Sequence, residues 1–176
     1  MAKKNTKILL VDDEPDILEI VGYNLAQEGY QISTASNGKE AIAKAKTEVP
    51  DLIIMDVMMP EMDGMEACEN IRRIPELNHV IITFLTARSE DYSQVAGFDV
   101  GADDYITKPI KPKLLVSKVK ALLRRSKEQE EKDFQKQREA KRKRESEVLK
   151  QKQTKTAQKA KATQEEVKKT QEEAEY

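Results

Sequence analysis

Five short apolar runs recur along the first two thirds of the chain, at residues 7–11, 31–35, 52–56, 80–86 and 104–107, and longer segments separate them. The runs are too short for helices and rich in Val, Ile and Leu, as strands buried on both faces are. The intervening segments repeat their apolar residues at helical spacing instead. Asp13-Glu14-Pro15 signals the start of a first helix and Gln27-Glu28-Gly29 its end, with Ile17, Ile20, Val21 and Leu25 on one apolar face. Asn37-Gly38 opens a second, with Ala41, Ile42 and Ala45 inward, and Pro50 stops it. A third spans about 64–73 and precedes Pro75, and a short fourth covers about 91–100 and ends at Gly101. The fifth starts near Pro112 and presents Leu115, Val116, Val119, Leu122 and Leu123. Strands alternating with helices predict an α/β domain, a parallel sheet covered by helices on both faces.

Composition divides the chain of 176 residues. Residues 5–125 read as one globular domain. Residues 126–176 are almost entirely Lys, Arg, Glu, Gln, Ala and Thr, and read as a charged tail, helical or disordered. Residues 1–125 carry 16 basic and 20 acidic groups, and residues 126–176 carry 15 and 12, so a net −4 is joined to a net +3. Phe134, Val148, Leu149 and Val167 are too sparse and irregular for a sustained coiled-coil stripe, although a coiled coil stays open. Lys141-Arg142-Lys143-Arg144 is the one feature that argues for a nucleic-acid arm, against the plainer reading of a solvated face. No stretch approaches the roughly 20 apolar residues of a membrane span. The polar start lacks the apolar centre of a signal peptide, so a cytoplasmic location is expected. Cys68, the only cysteine, excludes an internal disulfide and reads as a small core residue.

In an open parallel sheet, ligands gather where the strands end. The first run leads into Asp12-Asp13, the third ends in Asp56, the fourth in Thr86 and the fifth in Thr107-Lys108-Pro109. Three carboxylates brought to one edge repel one another and call for a cation. Hard oxygen donors with room for water suit Mg²⁺. Strand-terminal carboxylates also cap helices, a role that fits Asp13 before Pro15. It does not fit Asp56, because Val57-Met58-Met59-Pro60 intervenes before the next helix. Thr86 offers a hydroxyl and Lys108 an ammonium to the oxygens of a phosphoryl group. Lys108-Pro109 also allows a cis peptide. His79, the only histidine, precedes the fourth strand and reads as a loop residue, so a phosphodonor must be another protein.

Together, Val11-Asp12-Asp13-Glu14, Asp56 followed by Met59-Pro60-Glu61-Met62-Asp63-Gly64, Leu85-Thr86-Ala87, and Gly101-Ala102-Asp103-Asp104-Tyr105-Ile106-Thr107-Lys108-Pro109 resemble the receiver domain of two-component response regulators. The resemblance implies a flavodoxin-like sheet of strand order 2-1-3-4-5. It implies that Asp56 accepts a phosphoryl group from a sensor histidine kinase, while Asp12, Asp13, Asp56 and the backbone carbonyl of Met58 bind Mg²⁺. By the same resemblance Thr86 and Lys108 hold the phosphoryl oxygens, and Tyr105 moves inward as Thr86 is drawn to them. The domain would then be a switch that assists its own phosphorylation and dephosphorylation, not an enzyme acting on a separate substrate. Met58 and Arg88 stand where the family controls dephosphorylation. Aspartyl-phosphate phosphatases carry Asp-x-Asp at the nucleophile, and here Met58 occupies the second position. A flavin-binding relative of the fold would want a hydroxyl- and Gly-rich loop where Asp12-Asp13-Glu14 stands.

Residues 111–125 most resemble receivers of winged-helix transcription factors, which dimerise through the face of the fourth helix, fifth strand and fifth helix. Asp103, Asp104, Lys118 and Arg125 fit the charged pattern of that homodimer, whereas Leu114 and Gln94 replace an acid and a base that often pair there. The 51 residues from Ser126 onward contain no pattern of a β-wing or a recognition helix, so no sequence-specific DNA binding is expected of them. The other reading of the output is a receiver-derived scaffold or coiled-coil protein whose tail carries it.

Overall fold

The computed structural model describes residues 5–87 and 99–174. The chain separates into two compact units, Met1–Ser126 and Lys127–Tyr176. The first holds β1 (Lys7–Val11), α1 (Pro15–Gln27), β2 (Gln31–Ala35), α2 (Gly38–Glu48), β3 (Leu52–Asp56), α3 (Gly64–Arg72), a 3₁₀ turn at Pro75–Leu77, β4 (Ile81–Ala87) and β5 (Asp104–Lys108). The C-terminal helix, Pro112–Ala174, begins in the first unit and supplies all the described structure of the second. Most of the sequence-predicted fourth helix lies outside the described residues, as do Arg88 and Gln94.

The five strands form one parallel sheet of order β2-β1-β3-β4-β5. This is the flavodoxin-like order, in which the chain reverses direction across the sheet after β2 and leaves a crevice where β1 and β3 end. Two cores follow from the alternation of side chains along each strand. Leu9, Val11, Ile53, Met55, Ile82 and Phe84 meet Ala41 and Ala45 of α2 and Ala67, Cys68 and Ile71 of α3. On the other face Ile8, Leu10, Leu52, Ile54, Leu85 and Ile106 meet Val21 and Leu25 of α1 and Leu115, Val119, Leu122 and Leu123 of the C-terminal helix. All five residues of β3 are buried, which is why its run is apolar up to the acid. Cys68 is fully buried, its thiol pushed up to about 11 by loss of water.

Several sequence expectations shift by a residue or a face. β4 begins at Ile81, one residue after the predicted start, and runs on to Ala87, while β5 extends to Lys108. Ile20 is half exposed, and Leu18 packs against the core in its place. At about 100° per residue, positions 17, 18, 21 and 25 fall within an arc of about 100° on the helix, and position 20 lies about 60° outside it. The N-cap of α1 is Glu14, whose side chain makes no capping bond, so Asp13 does not serve that helix as a cap. α2 is capped where Asn37-Gly38 opens it, Asn37 accepting from the Glu40 amide, and α3 is capped by Asp63, which accepts from the Glu66 amide, each at 2.8 Å. The second unit is helical from Lys127 to Ala174 and exposed at every described position.

Candidate functional site

Side-chain alternation selects which strand ends can meet. Asp56 shares its parity with Leu52 and Ile54 on β3, and Lys108 with Ile106 on β5. Asp12, one step past Val11, shares its parity with Ile8 and Leu10. All three therefore emerge on the same side of the sheet's carboxyl edge. Asp12 stays in the β1–β2 pairing through its amide, which donates to the Ala35 carbonyl at 3.1 Å. Its carboxylate accepts from the Glu14 amide at 2.9 Å, which fixes the turn into α1.

Lys108 Nζ lies 3.3 Å from Asp12 Oδ2, 3.5 Å from Asp56 Oδ1 and 4.0 Å from Glu14 Oε1. Carboxylate oxygens of Asp12, Asp13 and Asp56 fall within 4.8 Å of one another. Asp12 and Asp56 are buried, whereas Asp13 is exposed. Burial raises the pKa of Asp56 to about 6, and the neighbouring Asp12 charge adds to the rise while Lys108 and a hydrogen bond from the Met58 amide oppose it. Asp12 is raised as well, chiefly by burial, against the pull of the Glu14 amide and Lys108. Burial also disfavours the Lys108 ammonium, but the charges of Asp56 and Asp12 outweigh it and hold its pKa above the ordinary lysine value. One ammonium among this many acids leaves the cluster short of positive charge. Oxygen donors at this spacing, partly open through Asp13, fit a divalent cation such as Mg²⁺.

The backbone beneath Asp56 is pressed against α3. The Gly64 amide donates to the Val57 carbonyl at 2.8 Å, and a Cβ at Gly64 would lie 2.2 Å from the Asp56 carbonyl oxygen. Only glycine allows that approach. The Met58 side chain is two-thirds exposed, so the Met58 contact to Asp56 runs through its backbone alone.

Thr86 is buried on β4, and among the described residues its hydroxyl and that of Thr83 have no hydrogen-bond partner. Thr86 pairs in register with Thr107, and Phe84 pairs with Tyr105. Parity places Thr86 and Tyr105 on the same sheet face, diagonal to each other across the β4–β5 pair. Tyr105 is half-buried against that core. Lys118 spans it, donating to the Tyr105 carbonyl at 2.6 Å with its ammonium 5.2 Å from the ring centre and 3.7 Å from Asp104. The Lys108-Pro109 peptide is cis. His79 sits exposed in a turn.

Three features carry no strong sequence signal. Glu14 joins the Lys108 cluster, although only its place beside Asp12-Asp13 hints at it. Gly64 supports Asp56 through a tertiary contact, which a one-dimensional reading sees only as a helix start. Arg72 donates to the carbonyls of Gly101 at 2.9 Å and Val80 at 2.7 Å, and pairs with Asp103 at 2.9 Å. Asp103 also accepts from the Ile82 amide at 2.9 Å, so this predicted interface acid is engaged within its own chain.

Residues 8–120 match the response regulator receiver domain family. The chain is 48% identical over 122 residues to the alkaline phosphatase synthesis transcriptional regulatory protein PhoP of Bacillus subtilis, a match covering 69% of this chain and 50% of PhoP. It is 49% identical over 121 residues to the transcriptional regulatory protein ResD of the same organism, covering 69% and 49%. The chain thus spans about half the length of these curated relatives. Among solved structures, it resembles a two-component response regulator from Clostridium difficile at TM-score 0.64 and 35% identity, covering 68% of this chain and 97% of that one. The chemotaxis response regulator CheY4 of Vibrio cholerae is similar at TM-score 0.64 and 34% identity, covering 67% and 98%. The strand order, the acidic edge and the match over residues 8–120 agree, and the chain belongs to the receiver family of two-component response regulators.

Proposed function

We propose that residues 5–125 form a phosphorylation-dependent switch in which Asp56 is the phosphoacceptor, and that residues 126–176 form a separate tail. The observation that carries the reading is Asp56 itself, buried at a strand end with Lys108 at 3.5 Å and two further carboxylates within metal-sharing distance. Asp12, Asp13, Asp56 and the Met58 carbonyl are the groups that would hold Mg²⁺. When bound, the cation neutralises the carboxylates and the incoming phosphoryl oxygens. An Asp56 oxygen attacks phosphorus, the bond to the kinase histidine nitrogen breaks, and the departing imidazole keeps the electron pair and takes up a proton. Lys108 then turns from Asp56 to a phosphoryl oxygen, and the Thr86 hydroxyl gains an acceptor that its burial otherwise denies it.

Drawing Thr86 toward the phosphate opens space diagonal to it, and Tyr105 moves in. The face of β5 and the start of the C-terminal helix is repacked around Lys118. That face is the proposed output surface, through homodimerisation or a partner. The partners are a sensor histidine kinase and, on this face, a second copy of the chain. No described helix is long and apolar enough to cross a membrane.

The test is incubation with Mg²⁺ and a small-molecule phosphodonor, read by intact mass. One phosphoryl adduct is expected, labile to hydroxylamine and lost in Asp56→Asn. An absent adduct, or one that persists in Asp56→Asn, overturns the assignment.

A further inference from the structure

The net charge of the second unit hides a strong segregation. Residues 136–161 carry eleven Lys and Arg against three Glu, a net +8, whereas residues 127–135 carry a net −2 and residues 162–176 a net −3. The three acids, Glu139, Glu145 and Glu147, all lie in the first half of the basic stretch. Lys152, Lys155 and Lys159 have no carboxylate within four residues on either side, so no helical i,i+3 or i,i+4 pair neutralises them. Every residue of the stretch is helical and exposed.

The arrangement of these cations selects among polyanions. At 100° per residue, Lys141, Arg142, Lys143 and Arg144 alone point in four directions around the axis, so the charge forms a sleeve and not a stripe. A helix lying in a lipid interface needs a broad apolar face opposite its charges. Here Val148 and Leu149 are the only large apolar side chains in the stretch. A helix charged all round suits a groove that presents phosphates on both walls, as a nucleic-acid duplex does. At 1.5 Å per residue the stretch is about 39 Å long, which matches about 11 base pairs of duplex. Acidic residues at both ends oppose sliding of further phosphates past the stretch and bound its footprint.

We infer that residues 136–161 bind the phosphodiester backbone of duplex nucleic acid without regard to sequence. The contact uses Lys and Arg alone, so base identity is not read. Its affinity is set by released counterions. With about half of the eleven cations engaged, log K falls against log salt with a slope of about −4 to −5, a few hundred-fold between about 50 and 200 mM salt.

The experiment is fluorescence anisotropy of the full chain with labelled DNA and RNA duplexes of about 20 base pairs, each also in a scrambled sequence. Salt-sensitive binding that ignores the scramble is expected, and the DNA and RNA arms show which source of phosphodiester is preferred. Replacing Lys141, Arg142, Lys143 and Arg144 by Gln should weaken binding at least about tenfold at low salt and make the slope shallower by about two. Lys152→Gln with Lys155→Gln and Lys159→Gln should act in the same direction from a separate stretch of helix. Circular dichroism checks that each variant keeps its helix. Asp56→Asn should bind as the parent does, which keeps this result apart from the phosphoacceptor assignment. The inference is overturned by no binding at low salt, by salt-independent binding, or by unchanged affinity in both variants. It is equally overturned by tighter capture on phosphatidylserine vesicles than on either duplex, or by sedimentation showing that the basic stretch instead pairs copies of the chain.

Discussion

At Asp56, burial and charge act against folding. Its carboxyl titrates at about 6 in the folded protein and near 3.8 when unfolded, because burial and Asp12 disfavour the anion more than Lys108 favours it. Between those values the folded state binds more protons, so stability falls as pH rises through this window. The rise corresponds to about 3 kcal/mol withheld above pH 6 in the absence of divalent cations and absent below pH 3.8. Asp56→Asn is therefore expected to melt at a higher temperature than the parent at pH 8 in a chelator, with the advantage shrinking at pH 5. Thermal melts at the two pH values check this, and a less stable variant at pH 8 would contradict it. Thr86 makes the complementary case. Its hydroxyl is buried without a partner, so Thr86→Val should leave the resting protein at least as stable while abolishing the shift of the Tyr105 ring signals on beryllofluoride addition. Ring resonances in NMR spectra are the readout. These residues were legible in the sequence because each ends a run of buried strand, where a polar side chain needs a reason. Glu14 was not, because an exposed acid in a turn needs none.

Elements were legible wherever periodicity and punctuation agreed. Asn37-Gly38 announces α2, and strand β3 is delimited to the residue by its apolar run. Sequence and structure part where burial on the helix surface is decided by tertiary packing, as at Ile20, or where hydrogen bonding carries a strand past its apolar residues, as at Ala87 and Lys108. The packing of α3 under β3 was invisible for the same reason, and two glycines separate it from ordinary helix propensity. Gly64→Ala forces a Cβ to within 2.2 Å of the Asp56 carbonyl oxygen, so the strand or the helix must shift. It should cost about 1–3 kcal/mol and slow phosphorylation of Asp56. Gly22→Ala, in α1, meets only Leu10 at 3.5 Å and Ile32 at 3.7 Å, and should gain up to about 1 kcal/mol from helix propensity. Urea denaturation of both variants checks the opposite signs. Arg72 joins α3 to the starts of β4 and β5 with a planar fork that lysine cannot reproduce. Arg72→Lys should recover less than half of the stability lost in Arg72→Ala.

For the whole molecule, the two units draw on different sources of stability. Every residue of both apolar cores lies at or before Leu123, and the first unit ends at Ser126. In the second unit Phe134, Val148, Leu149 and Val167 are all more than half exposed. Its helix rests on propensity and on neighbouring charges, which add only tenths of a kcal/mol per pair. The first unit should therefore unfold as one cooperative transition, and the second should lose helix gradually over a broad range. A fragment ending at Ser126 is expected to keep the midpoint and enthalpy of the full chain's cooperative transition. A peptide of residues 127–176 should show helical circular dichroism that declines without a sharp midpoint on heating. Calorimetry of the full chain and the fragment separates this from coupled folding, in which removing the second unit would lower the midpoint. By composition the sequence divides into residues 5–125 and 126–176, since a segment without apolar residues at helical spacing has nothing to bury. What composition could not convey is that the second unit's charge is sorted along its length. A partner that reads charge density, and not shape, would distinguish its centre from its ends.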